Sequence, residues 1–290
     1  MKDYFGYTDK ICVVTGAASG MGKATAEMLV SLGAKVFALD VNPAEVDHVE
    51  KFIPVDLSKK ESIDQAFQEI PQHIDCFFGI AGVSGIKCDF NTTVTIDFIA
   101  NKYICEEYLQ KRMNAGASIA FITSTGGNHW EKEGNKKEYL PLIETTTWDD
   151  MITTLNQLDL NHLPGPLGYM FAKMAMNYYT AKLQLSFAKN HIRVNALLPG
   201  STDTGMKNEF ELAAGGADQL LASAGFAGRL ATSFEMAAPV VFLNSDMASF
   251  VSGELFIADY GCSITAQAAL REDPLGNVTF DQMKQNFPKN

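Results

Sequence analysis

Two residues four positions apart, Tyr169 and Lys173 in the segment GYMFAK, could carry proton chemistry. On a helix, positions i and i+4 share one face. A phenol can exchange a proton with a carbinol or carbonyl oxygen, but a free pKa near ~10 makes it a poor base at neutral pH. A neighbouring ammonium stabilises the phenolate and lowers that pKa. The same lysine can hold the ribose of a nucleotide. Ser124, at the end of the apolar run AFITST, could orient a substrate oxygen, because ligands of parallel sheets sit beyond the strand ends. Each feature alone also has a plain reading: an exposed Tyr–Lys pair, and a serine that satisfies local backbone.

The stretch TGAASGMG places Gly16, Gly20 and Gly22 where an apolar run meets an amphipathic one. Gly16 allows a tight exit from a strand. Gly20 has no side chain to hold off a pyrophosphate, whose charge then meets the amides and dipole of a helix N-terminus. Gly22 lets helix and strand pack closely. The spacing is G-x-x-x-G-x-G, and in a strand–turn–helix setting it reads as a nucleotide site, a structural turn being the rival reading. Asp40 follows at the end of the next apolar run. A carboxylate there accepts hydrogen bonds from both adenine-ribose hydroxyls and repels a 2′-phosphate. No Arg or Lys follows it immediately, and Ser19 rather than a base precedes Gly20, so the expected cofactor is NAD rather than NADP.

These residues need a scaffold. Short apolar runs at Ile11–Thr15, Lys35–Leu39, Phe52–Val55, Cys76–Ile80, Ser118–Thr123, Arg193–Leu198 and Leu255–Ala258 read as strands buried on both faces. Helix-like segments separate them. In the first, Ala24, Met28 and Leu32 recur every four residues and Gly33 ends the element. The alternation predicts an α/β fold, a single doubly wound Rossmann-type parallel sheet of about seven strands. No low-complexity linker divides residues 1–290, so one domain is expected. Two excursions break the rhythm: an insertion at 125–168, before the helix of Tyr169, which holds Trp130, Tyr139 and Trp148; and a loop at 201–228 rich in Gly, Ala and acidic residues. Such excursions are commonly lids or binding loops. The tail 271–290, with Pro274, Gly276 and Pro288, reads as peripheral.

The chain has 34 acidic against 23 basic residues, a net charge of -11, which argues against general nucleic-acid binding and against an anionic membrane surface. Its five cysteines form no C-x-x-C pair, so neither a disulfide framework nor a zinc site is expected, and Cys12 and Cys76 read as small core residues. The polar start MKDYFGYTDK is unlike a signal peptide, and no apolar run reaches the ~18 residues that span a bilayer. A reducing cytoplasm is the expected setting.

Together these motifs resemble the short-chain dehydrogenase/reductase family, in the family's order, from Lys10 to Gly261. The resemblance implies Ser124, Tyr169 and Lys173 as the catalytic set. It implies nicotinamide contacts from Pro199, Gly200, Thr202 and Thr204 in the P-G-x-x-x-T pattern, and adenine contacts from Asp56 with Leu57 beside it. Met21 within the glycine turn, and Ala81 and Gly82 after the fourth strand, would approach the cofactor. Asn195 in IRVNALLPG matches a structural asparagine. Two departures stand out: Gly79-Ile80-Ala81-Gly82 replaces the common N-N-A-G, and the family's helix asparagine falls on Asp97, 27 positions before Ser124. Asp97 would keep the backbone part of a proton relay and add a charge, and Asn101 lies one helical turn on. The spacing of 45 positions from Ser124 to Tyr169 is far more than the family usually has. This long insertion resembles the branch of 3α-hydroxysteroid dehydrogenase/carbonyl reductase and coniferyl-alcohol dehydrogenase, where it alters oligomer assembly. A homodimer or homotetramer follows as an expectation.

The resulting expectation is an NAD-linked oxidoreductase for a small hydrophobic alcohol or ketone, with Met206, Phe210 and Phe226 closing an apolar cleft at Ser124. A hydroxysteroid or bile acid leads the substrate classes, with an aryl or allylic alcohol second. An NAD-retaining epimerase or dehydratase, or a nucleotide sensor without catalysis, are the rival functions.

Overall fold

Strands that are apolar on every residue need cover on both faces. The structure, a computed structural model, describes residues 3–273, 276 and 278–288. The strands are β1 Ile11–Thr15, β2 Lys35–Asp40, β3 Lys51–Pro54, β4 Cys76–Gly79, β5 Ser118–Ile122, β6 Arg193–Pro199, β7 Thr202–Asp203, β8 Ala231–Thr232 and β9 Leu255–Ala258. Seven form one parallel sheet in the order β3-β2-β1-β4-β5-β6-β9, and β7 pairs with β8 apart from it. All seven expected runs are strands of this sheet, with ends shifted by one residue at most. The strand order reverses between β1 and β4, which opens a crevice at their C-terminal ends.

Helices cover both faces. They are α1 Gly20–Ser31, α2 Lys60–Gln68, α3 at 90–112, α4 Glu133–Glu144, α5 Trp148–Gln157, α6 Gly165–Phe187, α7 Lys207–Ala214, α8 Ala217–Ser223, α9 Ser233–Asn244, α10 Cys262–Gln267 and α11 Phe280–Lys284. On one face Ala26 and Leu29 of α1 and Val240 of α9 pack with Val14 and Val36. On the other, Phe67, Phe98, Ile104, Phe171 and Met174 of α2, α3 and α6 meet Val13, Phe77 and Phe121. The buried residues of α1 are Gly22, Ala24, Thr25, Ala26 and Leu29; of the expected stripe Ala24 is buried, while Met28 and Leu32 pack half-buried at its edge. Gly33 does end the helix, at φ +81°.

The insertion is α4 and α5, and its aromatic residues are mostly core. Tyr139, Leu142, Trp148 and Met151 join the cluster around Phe98 and Phe171. Trp148 meets Tyr103 edge-on at 5.4 Å, and Trp130 meets Tyr178 at 6.2 Å. The tail differs from expectation. Phe280 is fully buried, 5.5 Å from the ring of Phe171, and its amide donates to Asn135 at 2.6 Å. The insertion supplies this cradle, so the tail is bound into the core rather than peripheral. Pro274 lies outside the described residues. Among the described residues no disulfide joins the five cysteines, and no helix is long and apolar enough to cross a membrane.

Candidate active site

The glycine turn is built by close backbone contact. Gly16 has φ +73°, and a Cβ there would lie 2.8 Å from the Ala81 backbone. A Cβ on Gly22 would lie 2.0 Å from the Gly16 carbonyl. The first turn of α1 carries no acidic side chain and Ser19 makes no side-chain cap, so the amides face outward. They open on a groove of about 410 Å³ at the crevice. Gly16, Ser19, Gly20, Met21 and Gly22 line it together with Asp40, Asp56 and Leu57, and with Ala81, Gly82 and Thr204. Asp40 accepts from the amides of Ala18 (3.0 Å) and Asn42 (2.9 Å), which fixes its carboxylate at the rim. Asp56 is held by Ser58 and by Lys59 at 2.8 Å. Burial pushes its carboxyl up, but Lys59 and Ser58 hold it below the ordinary value.

A smaller cavity of about 120 Å³ adjoins the groove, sharing Met21, Thr204 and Met206. Ser124 and Tyr169 line it with Pro199, Gly200, Thr202 and Phe210. Phe210 meets the Tyr169 ring edge-on at 5.6 Å. Ser124 accepts from the Gly126 amide at 2.9 Å and lies beside Tyr169 in this cavity. The ammonium of Lys173 lies 5.1 Å from the Tyr169 ring centre. Phe226 is placed elsewhere. Gly225 and Gly228, both at positive φ, turn its segment outward, and its ring is 65% exposed beneath the Arg271 guanidinium.

Asp97 occupies a wide π-type turn of α3, Thr95–Ile99. Its carboxylate lies 3.0 Å from the Lys173 ammonium and accepts from the Val83 amide at 2.8 Å. Asn101, one turn on, donates to the Asp97 carbonyl at 3.4 Å. Gly79 makes room for it: a Cβ there would lie 2.7 Å from the Asn101 side-chain oxygen. Thr15 takes over at the sheet end, accepting from Ile80 and Ala81. Asn195 pins β6 to the chain before β9 through Val251 and Glu254.

These charges tune one another. Burial pushes the Tyr169 phenol up, Lys173 and Ser124 pull it down, and Asp97 pushes it up. For Lys173 burial pulls down, but Asp97 outweighs it and the ammonium titrates above its ordinary value. Burial raises Asp97 despite Lys173 and the Val83 amide.

Sequence reasoning missed the clasp across the mouth. Glu209 of α7 accepts from the Ser84 hydroxyl and lies 2.6 Å from the Lys87 ammonium. Lys87 holds its carboxyl below the ordinary value. A lone acid in a loop rich in acids gave no spacing signal.

Two family models match this chain back to back through the site: short chain dehydrogenase over residues 10–135, and Enoyl-(Acyl carrier protein) reductase over 137–263. The chain is 30% identical over 273 residues to the NAD-dependent glycerol dehydrogenase of Listeria innocua, covering 90% of this chain and 96% of that one. The chain belongs to the short-chain dehydrogenase family. It is thereby an oxidoreductase acting on alcohols. A coniferyl-alcohol dehydrogenase of Pseudomonas sp. strain HR199 is 29% identical, covering 89% of this chain and 98% of that enzyme. In fold, the short-chain dehydrogenase matches the 3-alpha-hydroxysteroid dehydrogenase of Pseudomonas sp. B-0831 complexed with NADH. The TM-score is 0.71 at 20% identity, over 90% of this chain and 99% of that one.

Proposed function

We propose that this protein is an NAD(H)-dependent dehydrogenase interconverting a hydrophobic secondary alcohol and its ketone. One observation carries the reading: Ser124 and Tyr169 line one cavity, with the Lys173 ammonium 5.1 Å from the Tyr169 ring centre, beside the groove of the glycine turn and Asp40. The groove fits the cofactor, since the helix start of α1 suits a pyrophosphate and Asp40, held beside the same turn by the Ala18 amide, suits the adenine ribose. Gly16, Gly20 and Gly22 would hold the pyrophosphate, Asp56 and Leu57 the adenine, and Lys173 the nicotinamide ribose. Ala81, Gly82, Pro199, Gly200, Thr202 and Thr204 would border the nicotinamide. When bound, that ring supplies the hydride acceptor or donor.

The chain's own groups handle the proton. Tyr169 takes it from the alcohol oxygen, or returns it to the ketone oxygen. The Lys173 charge keeps the phenolate accessible. Ser124 accepts from the Gly126 amide, which leaves its own proton to direct at the substrate oxygen. Asp97 keeps Lys173 charged where burial would neutralise it. Placement and electrostatics are the protein's share.

Met206, Phe210 and Leu220 make the substrate side apolar. Relatives named coniferyl-alcohol dehydrogenase and cyclohexanol dehydrogenase point the same way, so a single-ring alcohol, aryl or alicyclic, is the leading substrate class ahead of a steroid. The deciding experiment screens cyclic, aryl, steroid and bile-acid alcohols with NAD and with NADP, read as cofactor absorbance. Accumulating NADH with a single-ring alcohol is the expected result. Altered substrate with no net change in cofactor would point to an epimerase or dehydratase instead.

A further inference from the structure

Ser124 and Tyr169 belong to different elements, the end of β5 and the first turns of α6, yet must meet one substrate oxygen. What sets their spacing is the short turn Thr125–Gly127. The Ser124 carbonyl accepts from the Gly127 amide at 3.0 Å, and the Ser124 hydroxyl accepts from Gly126. The turn lies flush on α6. A Cβ on Gly127 would lie 2.8 Å from the Lys173 carbonyl and 2.8 Å from the Asn177 amide nitrogen. That nitrogen donates to the Gly127 carbonyl at 3.0 Å. Tyr169, Lys173 and Asn177 succeed one another every four residues and so share a face of α6.

Asn177 is fully buried, and its side-chain oxygen has no hydrogen-bond partner. That orphaned oxygen carries a cost, and losing the donor would leave the buried Gly127 carbonyl without its Asn177 partner, so what the asparagine contributes is its one bond to the turn. We propose that Asn177 is a positioning residue for the dehydrogenase reaction: it binds the Gly127 carbonyl and so holds the Ser124 hydroxyl at the Tyr169 phenol. The inference rests on the function proposed above.

The test is a double-mutant cycle of Asn177→Leu and Ser124→Ala, with cyclohexanol and NAD as probes. Thermal unfolding and NADH fluorescence are read on each variant. Asn177→Leu is expected to keep NADH affinity and most of its Tm while kcat falls about tenfold to 100-fold, the scale of a ~1 Å misplacement. In the Ser124→Ala background the same change should cost under about twofold more, because both act through one hydroxyl. Equal losses in both backgrounds, or an unchanged kcat in the single variant, would overturn the proposal. Asn177→Met removes the donor without adding a charge, and replaces the leucine variant in the cycle if that one does not fold. A crystal structure of either variant tests the role independently of kinetics. The turn should lift from α6 while Tyr169 and Lys173 stay, and an unmoved Ser124 would refute the role. Full turnover by Ser124→Ala alone would count against the proposed mechanism, whereas the position of the turn decides the role of Asn177.

Discussion

The carboxylate of Asp97 lies 3.0 Å from the ammonium of Lys173, and both side chains are shut from solvent. The ammonium therefore divides its field between a full negative charge and the phenol ring of Tyr169. An asparagine at 97 would leave the phenol a larger share. The buried carboxylate in turn keeps the lysine protonated through the working pH range.

Replacing Asp97 with asparagine tests this division. Phenolate is the form that takes the alcohol's proton, and the Asp97 charge opposes phenolate. Its removal should move the acid limb of the alcohol-oxidation pH profile to lower pH. An alkaline shift would show instead that holding the Lys173 charge is the carboxylate's larger effect.

Tyr169→Phe keeps the ring against Phe210 but removes the acid/base. NADH binding, followed by fluorescence, should persist, while turnover falls by about 10²- to 10⁴-fold. Normal rates in this variant would refute the proton assignment.

The proposed determinant of cofactor choice is Asp40. Asp40→Ala loses charged hydrogen bonds to the ribose and should raise the KM for NAD about tenfold. Adding Val41→Arg, at a position 65% exposed beside the groove, should bring NADP into use. Continued rejection of NADP by the double variant would mean that another group guards the 2′ position.

Gly22→Ala puts a methyl group 2.0 Å from a backbone oxygen, where no side chain can yield. A loss of about 1–3 kcal/mol is expected by thermal unfolding, with weaker NADH binding as α1 moves off β1. Unchanged stability would show that the turn relaxes freely.

Glu235 sets an acid sensitivity at the base of the substrate loop. It caps α9 with Thr232 and pairs with Arg229 at 2.6 Å, and Arg229 above all holds its carboxyl at about 2 against an ordinary 4.5. A lowered folded-state pKa contributes stability above the unfolded value and loses it as pH falls toward the folded one. Glu235→Gln should therefore flatten the stability profile between pH 4.5 and 2 in urea titrations. An unchanged slope would place the acid sensitivity elsewhere.

The sheet was legible because its strands are buried on both faces, so that runs such as ICVVT and ALLP carry no polar alternation. The glycine turn was legible because backbone contact admits few residues there. Ser124, Tyr169 and Lys173 are brought together as their order and spacing suggested. The Asp97–Lys173 pair was not readable as a contact, since 76 positions separate the two in the chain. The α1 stripe was legible only in part, because Gly22 and Thr25 also face inward without a hydropathy signal. Phe226 was misplaced because an apolar residue in a glycine-rich loop carries no direction, and two positive-φ glycines supply one. The tail misled for a related reason: Phe280 is a single aromatic among polar neighbours, and its partners lie in the insertion and in α6.

That last contact ties a segment remote in sequence to the site. Phe280 fills a hollow beside Phe171, two positions past Tyr169; Asn135 accepts from its amide, and Glu138 accepts from Lys284 one turn on. A void left there would loosen the helix that carries Tyr169 and Lys173, so the tail steadies the crevice from behind.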